Sequence, residues 1–135
     1  MQSSPTTQSR ILSILAAGVT LLTLDFLWLG WLAKPLYSAL GPLQRPEPFW
    51  PAALLFYGMY LLAIERHALA AAQTLSQAAK RGAELGFVAY ATYELTNWAV
   101  IRDWPALLVP VDLLWGVLLT SLSACAGHLT QRRLR

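Results

Sequence analysis

The run ILSILAAGVTLLTLDFLWLGWL, Ile11–Leu32, decides the class of fold. It holds one charged residue, Asp25, and it is long enough to cross a hydrocarbon core of about 30 Å, for which about 20 apolar residues suffice. Arg10 precedes it and Ala33-Lys34-Pro35 follows, proline being unable to continue a helix. A secretory leader has a similar outline. Asp25, Trp28 and Trp31 interrupt the apolar core such a leader needs, and no small-x-small cleavage site follows. The run therefore reads as a retained first membrane helix.

Composition agrees with that reading. Of 135 residues, 56% are hydrophobic and 13% charged, and mean hydropathy is +0.47, whereas soluble domains carry about a quarter charged residues. Outward from helix 1 comes a turn-rich loop with Gly41-Pro42, Pro46, Pro48 and Pro51. A second span is expected at about 49–69, with Pro51 in its first turn, where a missing N–H costs nothing. Glu65-Arg66-His67 interrupt that span, and Ala68 to Ala79 reads as helix at or beyond the membrane surface. Further spans are expected at about 82–101 and 106–126. The expected fold is an all-α bundle of four transmembrane helices. Residues 1–10 form a cytoplasmic tail, 11–130 the single transmembrane domain, and 131–135 a basic cytoplasmic tail.

Orientation follows from the basic residues. Arg10, Arg66, Lys80, Arg81, Arg132, Arg133 and Arg135 fall on one side, against Lys34, Arg45 and Arg102 on the other. The basic side faces the cytoplasm, so both termini are expected there. Trp31, Tyr37, Phe49, Trp50 and Trp104 form an expected aromatic belt at the opposite boundary. The net charge of +3 is explained by this bias, and no nucleic-acid partner is expected.

Within the spans lie Asp25, Glu94 and Asp112; Glu84 sits near a helix end, within reach of Lys80. Asp25, Glu94 and Asp112 are each six or seven residues from the outer end of their helix, hence about 10 Å below that surface at 1.5 Å per residue. A carboxylate facing lipid costs about 2.5–3.5 kcal/mol even on lenient scales, so the three should face the bundle interior. Tyr90, Tyr93, Glu94 and Asn97 share one stripe of helix 3, with Gly82 and Gly86 on its continuation as a G-x-x-x-G for close helix approach. Asp112, Trp115, Gly116, Thr120 and Ser123 share a face of helix 4, and Tyr57 and Tyr60 of helix 2 fall at comparable depth. A polar pocket is expected, with Asp25, Glu94 and Asp112 as proton-binding groups and Tyr57, Tyr60, Tyr90, Tyr93, Asn97, Trp28 and Trp115 orienting a ligand. An internal echo is also visible: Asp25-Phe26-Leu27-Trp28 and Asp112-Leu113-Leu114-Trp115 share Asp-x-Leu-Trp on helices of opposite direction, as an inverted repeat would.

These motifs resemble the domain-of-unknown-function 2177 family of predicted bacterial membrane proteins. The resemblance runs through Asp25–Gly30, Ala33-Lys34-Pro35-Leu36-Tyr37, Leu55-Phe56-Tyr57, the string GFVAYATYELTN from Gly86 to Asn97, Trp104-Pro105 and Val111–Gly116. Glu94 stands where that family usually has aspartate. The resemblance implies an inner-membrane location and no particular activity.

A purely structural role remains open for the acids, but interhelical polar bonds average only about 0.6 kcal/mol, a small return for burying three carboxyls. A low dielectric disfavours three negative charges at one level, so a shared proton is expected. His67 and His128 read as ordinary interface residues and Cys125, the single cysteine, as inert. No nucleotide loop, nucleophile elbow, H-E-x-x-H or redox cysteine pair is present, and neither cofactor nor metal is expected. The leading expectation is a proton-linked carrier or small-molecule binder. The alternatives are a membrane enzyme working by acid/base chemistry on a lipid or isoprenoid, and an accessory subunit of a membrane complex. So small a bundle is expected to form a homo-oligomer or to join such a complex.

Overall fold

The structure, a computed structural model, describes residues 5–134. Residues 1–4 and Arg135, parts of the two expected tails, lie outside the described residues. The described chain is helical, without strands. α1 (Thr7–Leu27) runs straight into a π-helical turn, Trp28–Leu32; the short α2 (Lys34–Ser38) and a 3-10 turn (Gly41–Leu43) follow. α3 (Trp50–Ile64) also ends in a π-helical turn, Glu65–Leu69, and leads to α4 (Leu75–Val100) and α5 (Leu108–Arg133).

Local chemistry explains the boundaries. Thr6 caps α1 by accepting from Ser9 N at 3.1 Å, so residues 7–10 of the expected tail are helical. Pro51 lies in the first turn of α3, as its missing donor allows. The Glu65-Arg66-His67 interruption is a π turn, closed by Ala70 N donating to Glu65 O at 2.8 Å. The expected continuous helix from Ala68 to Ala79 is broken at residues 70–74. Thr74 then caps a new start by accepting from Gln77 N at 3.2 Å, so α4 begins at Leu75, ahead of the expected residue 82. α5 likewise runs on to Arg133, making helix of most of the expected basic tail.

Two segments, Thr7–Leu32 and Leu108–Arg133, are long and apolar enough to cross a bilayer. α3 is apolar but spans only 15 residues before its π turn, and α4 carries Lys80, Arg81, Glu84 and Glu94.

α5 is the central element and packs along both α1 and α4. Each contact is antiparallel and in constant register. On α1, Ser13 Oγ donates to Gly127 O at 2.8 Å, and farther along, Asp25 meets Trp115 and Trp28 meets Asp112. On α4 the register is set by glycine. A Cβ on Gly82 would stand 2.9 Å from Ala124 Cβ, one on Gly86 would stand 2.1 Å from Gly116 O, and one on Gly116 would stand 2.3 Å from the Tyr90 ring. No side chain larger than hydrogen fits these positions, so the two backbones are in near contact. α3 approaches closely only toward the end that holds both termini, where its π turn lies on α4 and α5. There Ile64, Ala68 and Leu69 join Ala17, Leu21, Leu119 and Ala124 in the main core. At the other end Trp104, Leu108 and Val109 form a second core beneath Leu36, Tyr37 and Leu40.

Candidate functional site

Where α3 diverges from the bundle it leaves a cavity of about 400 Å³. α1 contributes Asp25, Trp28 and Leu29; α3 contributes Ala53, Phe56 and Tyr57; α4 contributes Ala89, Tyr90 and Tyr93. Tyr37 of α2 and Asp112 of α5 complete the wall. Two of the three expected acids thus share one chamber.

Each acid is held by an indole. Trp115 Nε1 donates to Asp25 Oδ1 at 3.3 Å and Trp28 Nε1 donates to Asp112 Oδ1 at 3.2 Å. Trp104 Nε1 donates to Glu94 Oε2 at 2.9 Å. Phenols take the other oxygens of the aspartates. Tyr57 OH donates to Asp25 Oδ2 at 2.5 Å, and Tyr37 OH donates to Asp112 Oδ2 at 3.0 Å. Burial first, and then the Asp112 charge, push the Tyr37 hydroxyl further above its usual range, so it remains a donor.

The sequence echo becomes a reciprocal exchange. The tryptophan of each Asp-x-Leu-Trp motif binds the aspartate of the other, and the two indoles stack with centroids 4.6 Å apart and planes within 8° of parallel. The antiparallel register explains why: three residues along α1 bring Asp25 to Trp28 while three residues back along α5 bring Trp115 to Asp112. The acids therefore occupy two adjacent tiers, Asp25 with Trp115 and Asp112 with Trp28.

The same register on α4 places Glu94 beside Asp112. Glu94 is fully buried, and no N–H or O–H donor reaches its Oε1. The Asp112 carboxyl is an electrostatic neighbour of Glu94. Two carboxyl groups held close in a low-dielectric interior favour keeping a proton on one of them.

A profile described as "Predicted membrane protein (DUF2177)" matches residues 10–129. The chain belongs to the DUF2177 family. The matched region takes in every element of the site, and the chain is thereby a predicted membrane protein of a family without an assigned function. No curated protein and no solved structure is matched.

In this DUF2177 chain the expected ligand-orienting residues divide. Trp28, Tyr57, Tyr90 and Tyr93 line the cavity. Trp115 stands behind it, stacked on Trp28. Tyr60 is drawn into the core, bonded to Thr120 Oγ1 and 4% exposed. Asn97 is half-buried on α4 and does not line the cavity. Tyr37 and Trp104 were placed by sequence in an aromatic belt, whereas the structure turns both inward onto acids. The signal that marks them is their place in Ala33–Tyr37 and Trp104-Pro105, two stretches that carry the family resemblance. Of the belt, Trp31, Phe49 and Trp50 remain exposed. At the end holding the termini, Arg10 Nη2 meets Glu65 Oε1 at 2.6 Å. His128 is buried there, whereas His67 is exposed.

Proposed function

We propose that this protein is a multi-pass protein of the bacterial inner membrane that binds a small molecule in the Asp25/Asp112 cavity and exchanges protons as it does so. The proposed topology has four transmembrane helices with both termini cytoplasmic. It rests on the excess of Lys and Arg at the end holding the termini and on the outward apolar faces of all four long segments, among them Leu55, Val88 and Leu114 at 74%, 61% and 62% exposure.

The observation that carries the functional reading is the cavity itself. Its wall sets two carboxyls among aromatic rings, each oxygen oriented by one neutral donor, with a third acid directly behind. Pockets of this size with few convergent polar groups are the usual form of small-molecule sites. Carboxyls inside a membrane protein commonly mark substrate or proton pathways. Asp25 and Asp112 face the ligand; Glu94, an electrostatic neighbour of Asp112 with one oxygen that no N–H or O–H donor reaches, is the reserve from which a proton moves.

The test uses proteoliposomes loaded with a pH-sensitive dye and exposed in turn to gradients of sugars, amino acids, carboxylates and amines. The expected result is that one class moves protons with the wild-type protein and not with Asp25→Asn or Asp112→Asn. If no class moves protons or binds to the folded protein, the reading fails. A second reading, acid/base chemistry on a lipid or isoprenoid, draws on Leu29, Ala53, Phe56 and Ala89, which would suit a hydrocarbon chain. It predicts altered lipids in a deletion strain, with no solute flux.

A further inference from the structure

We infer that the cavity takes a small organic cation, an amine or quaternary ammonium, with Asp25 and Asp112 as its counter-charges and aromatic faces as its walls. The inference rests on the small-molecule reading above and names its ligand class.

Charge is the first argument. The lining holds two carboxyls and no Lys, Arg or His, so an anionic ligand would meet only repulsion in a low-dielectric chamber. All four carboxyl oxygens of Asp25 and Asp112 already accept one hydrogen bond, from Trp115, Tyr57, Trp28 and Tyr37. Those donors fix the oxygens in place, yet every one is neutral. Hydrogen bonding is thus largely satisfied within the protein, and what a ligand can add is positive charge.

The wall favours the same ligand class. Trp28, Tyr37, Phe56, Tyr57, Tyr90 and Tyr93 make up more than half of the eleven lining residues. Aromatic faces carry negative potential and attract ammonium groups, most strongly where water is excluded. A cage of rings beside carboxylates is the form that recognises alkylated ammonium, which offers few or no N–H donors and a broad, weakly hydrated surface. A sugar or other polyol needs many hydrogen-bond partners, and the aliphatic and aromatic surfaces here do not supply them.

Proton balance follows from the third acid. The groups that face the ligand or its acids are Asp25, Asp112, Glu94, Tyr37, Tyr57, Tyr90 and Tyr93, none of them basic. Seating one monovalent cation while releasing one proton from the three acids leaves the buried net charge unchanged. A low-dielectric site favours that exchange over accumulating charge.

The test measures binding of choline and of tetraethylammonium to the purified full chain by calorimetry in two buffers of different ionisation enthalpy. The comparison ligand is 3,3-dimethylbutan-1-ol, the uncharged carbon isostere of choline. At least one of the two cations should bind about tenfold or more tighter than the isostere, releasing about one proton. Asp25→Asn and Asp112→Asn should abolish the preference, while Glu84→Gln, exposed at the other end of α4 beside Lys80, should leave it unchanged. The wild-type comparison stands even if an Asn variant fails to fold. If the isostere binds as well as both cations, or if only neutral or anionic solutes bind and move protons, the cation inference is overturned and the pocket reading survives. If none of the three binds, the cation inference is overturned; the pocket reading falls with it only if no solute of the proteoliposome series binds or moves protons either.

Discussion

At the scale of single residues the site is three acid–indole pairs, and two of them make separable predictions. Asp112→Asn keeps the size of the side chain and an acceptor for Trp28, and Tyr37 can turn its hydroxyl to accept from the new amide. The expected cost is below about 1 kcal/mol, with the proton-binding site removed. Asp112→Ala instead leaves the Trp28 and Tyr37 donors without their acceptor, at a cost of about 1–3 kcal/mol. Thermal unfolding of the two variants in detergent checks the order; equal losses would count against the geometry described here. Trp104→Phe tests the third pair. It removes the N–H donor to a fully buried Glu94 and should destabilise by about 1–2 kcal/mol, with Glu94→Gln in the same background recovering part of the loss. The carboxyls were legible in the sequence because an acid in an apolar run is costly wherever it faces lipid. Their donors were only half legible: a tryptophan at a helix end suits a headgroup boundary and a carboxyl equally well.

At the scale of elements the decisive contact is α4 on α5. Gly82, Gly86, Tyr90 and Glu94 recur every fourth residue, and so do Asp112, Gly116, Thr120 and Ala124. Run antiparallel, the two rows mesh so that Gly82 lies on Ala124, Gly86 on Thr120, Tyr90 on Gly116 and Glu94 beside Asp112. Gly86→Ala would put a methyl carbon 2.1 Å from Gly116 O and 2.7 Å from Thr120 Oγ1. Separating the helices to admit it should cost about 1–3 kcal/mol and pull Glu94 away from Asp112. Gly58→Ala is the matched control. A Cβ there meets nothing within 4 Å, and better helix propensity should leave stability unchanged or raise it by up to about 1 kcal/mol. Melting curves for the pair distinguish packing from a general intolerance of substitution. The two π turns belong to this scale too. Each adds a residue to its last turn, and the second turns Glu65 inward onto Arg10, a contact that the charged triplet Glu65-Arg66-His67 did not disclose.

For the whole molecule, the proposed topology makes a prediction that reporter fusions read directly. With both termini cytoplasmic, a green fluorescent protein fused after Leu134 should fluoresce. An alkaline phosphatase fused within the loop near Gln44 should be active. The opposite pattern would invert the molecule, place the cavity nearer the cytoplasm and require the direction of any proton movement to be reassigned.

Class and setting were legible in the amino-acid sequence: helices throughout, a membrane protein, four long segments, and acids on their inward stripes. Those properties are local, because hydropathy, proline and helical period act within a few turns of one element. Tertiary structure alone decided which acids meet, that Asp25 and Asp112 exchange tryptophans across α1 and α5, and that Tyr37 and Trp104 turn inward. It also decided that Tyr60 and Asn97 stand apart from the cavity. Those facts depend on register between helices and on the angle at which α3 leaves the bundle. Register is set where glycine lets two backbones touch, and that contact is a property of pairs of elements.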